Sequence, residues 1–217
     1  LGADVRLSNR QNVVFRGLQE EQLRTLFDRL EAIEMARPGA ELARDVVACP
    51  GADTCNIAVT QSRGLAKAIG ERLEEEGLAE VGGVRINISG CTNSCGQHHA
   101  SDIGLFGAER RAHGRSLPGY QLLLGGYVGE EQIHFGQKAL RLPARTAPEG
   151  VARVVRRFAE ERNAAEPFAE WMKRVGGPEK IADGLRDLDV IPTPEEDEAY
   201  FTDYDETGPF VAEVAES

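Results

Sequence analysis

The chain has 217 residues, 41% of them apolar, and a formal net charge of −11, enough for one large domain or two small ones with a proper core. No run of eighteen apolar residues occurs, so nothing is predicted to cross a membrane. An acidic balance with no basic stripe argues against nucleic acid as the main ligand. Most of the acidity lies at one end: residues 195–217 carry nine acids and no Lys or Arg, leaving 27 acids against 25 bases in residues 1–194. That end reads as a solvated terminus, with a partner-docking tail as the alternative.

Residues 1–15 mix Asp4, Arg6, Arg10 and Gln11 among the apolar positions, which is not the pattern of a secretory signal. The chain opens on Leu1, and we expect it to be a piece of something longer. Val5–Leu7 and Val13–Arg16 are predicted as short strands around a polar Ser8-Asn9-Arg10-Gln11-Asn12 stretch. A helix is expected from Glu20 to Met35, with Leu23, Leu26, Phe27 and Leu30 at three- and four-residue steps and Pro38-Gly39 as its stop. Strand, strand, helix in that order suggests a small α/β sandwich unit over residues 1–40.

Val46-Val47-Ala48 is a short apolar approach to Cys49. Past a Pro50-Gly51-Ala52-Asp53 turn, a helix is expected from Asn56 to Glu76, with Ala58, Leu65, Ile69 and Leu73 on its apolar face and Gly77 at its end. Val84–Ser89 alternates as a strand does and leads to Gly90-Cys91. Ile103–Phe106 and Tyr120–Leu124 are two more predicted strands, and Pro148–Arg162 and Pro167–Val175 two more helices. Arg110, Arg111 and Arg115 read as a solvated basic loop. The domain expected over residues 41–165 gives way to a helical segment and acidic tail over 166–217, where the pattern fades and a loosely wrapped or partly disordered end is expected.

Four cysteines without a secretory signal read as cytoplasmic thiols. Cys49 and Cys55 form a C-x5-C pair; Cys91 and Cys95, 36 positions beyond Cys55, form a C-x3-C pair. Structural zinc sites place paired cysteines two to four residues apart, which the second pair meets and the first does not. Disulfides or plain buried thiols are a further alternative. A cubane iron–sulfur cluster is wider than one ion and suits looser spacings from two loops. Cys55, at the start of the expected helix, would sit among free N–H groups and the positive end of the helix dipole.

These motifs also carry a family resemblance. Cys49-Pro50-Gly51-Ala52-Asp53-Thr54-Cys55 with its following helix, and Asn87-Ile88-Ser89-Gly90-Cys91-Thr92-Asn93-Ser94-Cys95-Gly96-Gln97-His98-His99, resemble the paired motifs of the sirohaem-dependent nitrite and sulfite reductases. The likeness runs on through Asp102–Gly107 and Gly119–Gly126. Arg6–Asn12 resembles the strand motif opening each ferredoxin-like repeat of that family. Tyr200–Asp205 with Pro209-Phe210 resembles the end of its ferredoxin-dependent members.

The resemblance implies an α+β chain, a ferredoxin-like α/β sandwich unit followed by an α/β sirohaem/[4Fe-4S]-binding domain. It makes Cys49, Cys55, Cys91 and Cys95 the cluster ligands, with Cys95 shared with the sirohaem iron. Asn93, Gln97, His98, Gln11 and Asn12 become candidates for holding the sirohaem, a polycarboxylate that needs N–H donors. The implied reaction reduces sulfite to sulfide or nitrite to ammonia with a ferredoxin-type donor. The anion-gripping Arg and Lys would come largely from an amino-terminal half of the same enzyme. A cluster-only electron-transfer module, or a non-catalytic half pairing with a catalytic partner, is the alternative. The family usually has proline after the third cysteine, where this chain has Thr92.

Overall fold

The computed structural model describes residues 2–37, 39–129 and 133–212. The chain divides into two compact units, Leu1–Ala40 and Glu41–Ser217.

In the first unit, β1 (Asp4–Leu7) pairs antiparallel with β2 (Val13–Arg16). Ser8 ties the turn between them, its Oγ accepting from the N–H groups of Arg10 at 3.2 Å and Asn12 at 3.1 Å. Gln11 stands there at φ 62°. Helix α1 (Glu20–Glu31) opens with a reciprocal capping box between Gln19 and Gln22 and has Glu20 and Glu21 in its first turn, where the dipole favours acids. It ends four residues before the expected Met35. Glu34 turns left-handed (φ 58°), Glu34 N–H bonds to Glu31 O and Met35 N–H to Leu30 O, a Schellman closure that no helix continues through.

The second unit is built on a five-stranded sheet in the order β3-β4-β5-β6-β9. β3 (Val47–Ala48) and β4 (Ile86–Ser89) are parallel, as are β4 and β5 (Ile103–Ala112). β6 (Arg115–Leu124) and β9 (Gln137–Pro143) complete it antiparallel. Helix α2 (Ser62–Glu75) forms the crossover from β3 to β4 and packs with α3 (Ala147–Glu161). Leu65, Ile69 and Leu73 recur every four residues on α2, and all three are fully buried; each stabilises the fold by roughly 1.5–3 kcal/mol. They face Ile86, Ile88, Ile103 and Leu105 of the sheet and Val151, Val155 and Phe158 of α3 within one core. Helix α4 (Phe168–Arg174) adds Phe168 and Trp171 against Phe158, with ring centroids 5.1–5.4 Å apart.

Several expectations are corrected. The predicted strands at Ile103 and Tyr120 are the inner ends of a ten-on-ten hairpin turning at His113-Gly114, both at positive φ. Glu109, Arg110, Arg111 and Arg115 disguised it, because charged residues interrupt the alternation that marks a strand. Those arginines lie on the strands and not in a loop: Arg110 pairs with Asp189, the largely solvent-exposed Arg111 with Glu109, and Arg115 with both oxygens of Glu198. The short hairpin of β7 (Tyr127–Val128) and β8 (Ile133–His134), the strand β9 and helix α5 (Gly177–Asp183) were not expected.

The end of the chain is tied down as far as Phe210, whose N–H bonds to Phe201 O at 2.7 Å. Phe201 is fully buried, Asp203 is 7% exposed, and the Arg115 guanidinium lies over the Phe201 ring at 5.0 Å. The last acids of the tail, Glu213 and Glu216, lie outside the described residues.

At Gly107, in β5, an added Cβ would stand 1.9 Å from Thr60 Oγ1 and 2.5 Å from Gly90 O. Gly107→Ala is therefore expected to lower stability by about 1–3 kcal/mol or more, read as a lower urea midpoint at an unchanged slope.

Candidate functional site

Two cysteine loops leave the carboxyl ends of neighbouring parallel strands, where open α/β sheets place their ligands. The register Ala48↔Ile88 sets Cys49 beside Ser89, and Cys49 N–H extends the ladder to Ile88 O at 3.1 Å. Gly90 N–H donates to Cys49 Sγ at 3.2 Å. The first loop then folds back onto the second: Val59 and Thr60 N–H both donate to Gly90 O, at 2.8 and 3.1 Å. At Gly90 a Cβ would lie 2.8 Å from Thr60 O and 2.9 Å from Gly51 Cα, so only a bare backbone lets the loops approach this closely.

The second pair sits on a turn strapped to β4. Gln97 N–H bonds to Ser94 O at 2.8 Å, with Ser94 and Gln97 both left-handed at φ 59°. Gly96 N–H donates to Ser89 Oγ at 3.1 Å and Asn87 Nδ2 to Gly96 O at 2.8 Å. A Cβ at Gly96 would strike Ile88 O at 2.0 Å. The four cysteines form no disulfide; Cys49, Cys55 and Cys91 are half-buried and Cys95 is exposed. Among the described residues, no group of three or more His, Cys, Asp or Glu side chains is gathered as around one metal ion.

Asn93 and Gln97 are exposed on either side of Cys95. His98 is fully buried, its Nδ1 2.8 Å from Ser89 Oγ and its Nε2 3.2 Å from His99 Nε2. Burial first, and the neighbouring His99 second, push its pKa down to about 4, so it is a neutral prop beneath the Cys95 turn at pH 7. His99 carries the support onward, with Gly136 N–H on its carbonyl and Phe135 6.0 Å from its ring. Gln11 and Asn12 lie in the β1–β2 turn of the first unit.

The helix after the first pair starts at Ser62, seven residues beyond Cys55, which corrects the expected start at Asn56. A helix cannot run through residues 59–61 because their N–H groups serve the fold elsewhere: Val59 and Thr60 bond to Gly90, and Gln61 N–H is taken by Asp203 Oδ2 at 2.9 Å. Cys55 N–H bonds to Gly51 O at 3.0 Å. The first turn of α2 thus meets Cys49 rather than Cys55, with Ser62 Oγ 3.4 Å from Cys49 Sγ.

Sequence reasoning missed Thr60, Ser62, Ser89 and Asp203, which hold the loops. Ser89 sits two residues before Cys91 and offered a weak local signal; Asp203 bonds across 142 residues and offered none. Gln61 also donates to Glu206 Oε1 at 2.8 Å, and Gly64 of α2 lies against Tyr204 and Asp205. The terminal segment is therefore a strap on the cysteine side of α2.

This geometry can be set beside known proteins. Residues 39–183 match the model of the nitrite and sulphite reductase 4Fe-4S domain. The chain belongs to this family. It is 37% identical over 163 residues to a ferredoxin–nitrite reductase of Synechococcus elongatus, covering 75% of this chain and 31% of that one. A sulfite reductase [ferredoxin] of Mycobacterium tuberculosis is 31% identical over 183 residues, covering 80% and 32%. The structure of the Mycobacterium tuberculosis NirA protein superposes with a TM-score of 0.69 at 29% identity, covering 83% of this chain and 34% of that one. The chain thus spans about a third of the length of these relatives.

Burial raises the Asp203 pKa from 3.8 to about 6, against the opposing N–H bonds from Gln61 and Tyr204. Native Asp203 therefore keeps a proton that the unfolded chain has lost, and its contribution to stability falls as pH rises from about 4 to 6. His98 acts oppositely. With its folded pKa below the ordinary 6.5, the unfolded chain binds the extra proton, and stability rises with pH from about 4 to 6.5. Asp203→Asn removes the falling contribution alone. The variant's thermal midpoint is expected to climb more steeply between pH 4 and 6 than that of the unaltered chain.

Proposed function

We propose that this chain is the cofactor-binding, carboxyl-terminal half of a reductase that uses a ferredoxin-type donor to reduce nitrite to ammonia or sulfite to sulfide. The observation that carries the reading is the pair of unpaired-thiol loops knitted together at the ends of β3 and β4, with a backbone N–H already directed at Cys49 Sγ. Thiolate ligands of an anionic cluster call for such donors.

In this reading Cys49, Cys55, Cys91 and Cys95 hold the [4Fe-4S] cluster. The donor set fits: four thiols free of disulfides, on two loops spaced more widely than one ion needs. Cys95, the exposed member, would be the ligand that also serves the sirohaem. When bound, the two coupled cofactors supply single-electron transfers and an iron position open to a small anion. The chain's own part is to hold and orient. Asn93 and Gln97 present amide donors beside Cys95 for sirohaem carboxylates, and His98 fixes the Cys95 turn through Ser89.

Arg110, Arg111 and Arg115 are each already paired with an acid within the second unit. The cations that grip the anion are assigned, as the family resemblance implies, largely to an amino-terminal half of the same enzyme. The similar proteins are named for nitrite in one case and for sulfite in the other, and the choice between the two is assigned to the amino-terminal half.

Anaerobically loaded protein is expected to contain about five irons for every four labile sulfides, the cluster's four and the sirohaem's one, with the strong visible absorption of sirohaem. Cys95→Ser should uncouple the sirohaem spectrum from the cluster. Equal spectra and cluster content in the two proteins would remove Cys95 as the shared ligand. Cluster without sirohaem absorption in the unaltered protein would favour an electron-transfer module.

A further inference from the structure

The environment of the four sulfurs is unequal. Among the described residues, Cys49 is the cysteine whose sulfur lies within hydrogen-bond reach of other groups: Gly90 N–H at 3.2 Å and Ser62 Oγ at 3.4 Å. Ser62 is fully buried at the start of α2. Its oxygen also stands 2.8 Å from the Cys49 carbonyl, to which it donates. The hydroxyl has one proton and a free rotor, and two acceptors of one residue compete for it.

Which acceptor wins depends on the charge of the sulfur. A thiol S–H can itself donate to Ser62 Oγ, leaving the hydroxyl proton on the carbonyl. A metal-bound thiolate has no proton and carries negative charge, so an oxygen lone pair aimed at it is unfavourable and an O–H aimed at it is favourable. Rotation about the Ser62 Cβ–Oγ bond exchanges the two arrangements with no movement of the backbone. In a buried, low-dielectric site the exchange carries more weight than it would in water.

We propose that the Ser62 hydroxyl is a second hydrogen-bond donor to the Cys49 thiolate and raises the reduction potential of the cluster bound there. This rests on Cys49 being a cluster ligand, as the preceding reading has it. Reduction adds one electron to the cluster, part of whose charge falls on the ligand sulfurs, so a donor to sulfur stabilises the reduced form more than the oxidised one. Gly90 N–H supplies a fixed donor that no side-chain change removes; Ser62 supplies the one open to substitution. Ser62 acts through Cys49 and is a positioning residue.

The test is a mediator titration, followed by the cluster's spectrum, of the full chain loaded anaerobically. Three variants are compared with the unaltered protein: Ser62→Ala and Ser62→Gly, which lack the hydroxyl, and Ser62→Thr, which keeps it. Iron and labile sulfide are measured in each. Ser62→Ala and Ser62→Gly are expected to disfavour reduction about tenfold, a fall of about 59 mV for a one-electron couple, while Ser62→Thr stays near the original potential. An original potential in either loaded hydroxyl-free variant overturns the proposal. So does a fall of the same size in Ser62→Thr. Loss of cluster from both hydroxyl-free variants, with retention in Ser62→Thr, overturns it in favour of a purely structural tie to the Cys49 carbonyl. An unaltered chain that binds no iron or sulfide removes the ligand assignment itself, a failure distinct from these.

Discussion

The parallel pairing of β3 with β4 is the constraint from which the rest of the site follows. Parallel strands point the same way, so the segments leaving Ala48 and Ser89 emerge at one end of the sheet. A crossover helix is the ordinary way to join two such strands, and α2 does this while filling the core with Leu65, Ile69 and Leu73. The same apolar stripe that stabilises the unit therefore fixes where the two thiol loops meet. Reversing the direction of β3 would carry Cys49 to the opposite end of the sheet from Cys91.

Gly90 is where the two loops become one object. Its carbonyl receives two N–H groups from the first loop, its own N–H reaches the sulfur of Cys49, and its missing side chain leaves room for Gly51 and Thr60. On the far side, Gly107 of β5 completes the close packing. The order this imposes extends outward through Ser89 to the Cys95 turn and His98. Buried hydrogen bonds of this kind restrain the loops to one backbone arrangement.

The acidic end has a role that its composition conceals. Asp203 and Glu206 bind Gln61, the residue just ahead of α2, and Glu198 holds Arg115 of the β5–β6 hairpin. These side chains thus act partly as clasps between the last residues and the framework around the cysteines, and a composition count cannot distinguish a clasp from a solvated tail.

The amino-acid sequence alone specified the helix stripes of α1, α2 and α3, the short strands before each cysteine pair, and the two thiol motifs. All of these are local patterns written in periodicities of two and three to four residues or in fixed spacings. It did not reveal that α2 begins at Ser62, because the N–H groups of residues 59–61 are claimed by Gly90 and Asp203, partners 30 or more residues away. It did not reveal the long β5–β6 hairpin, whose charged outer half is satisfied by Asp189 and Glu198 from the far end of the chain. Ser62 facing Cys49, and Asp203 sealing Gln61, were likewise settled by folding. Hydrogen bonds between distant segments leave no periodic trace in the chain, and they exist only once a packed core has brought those segments together.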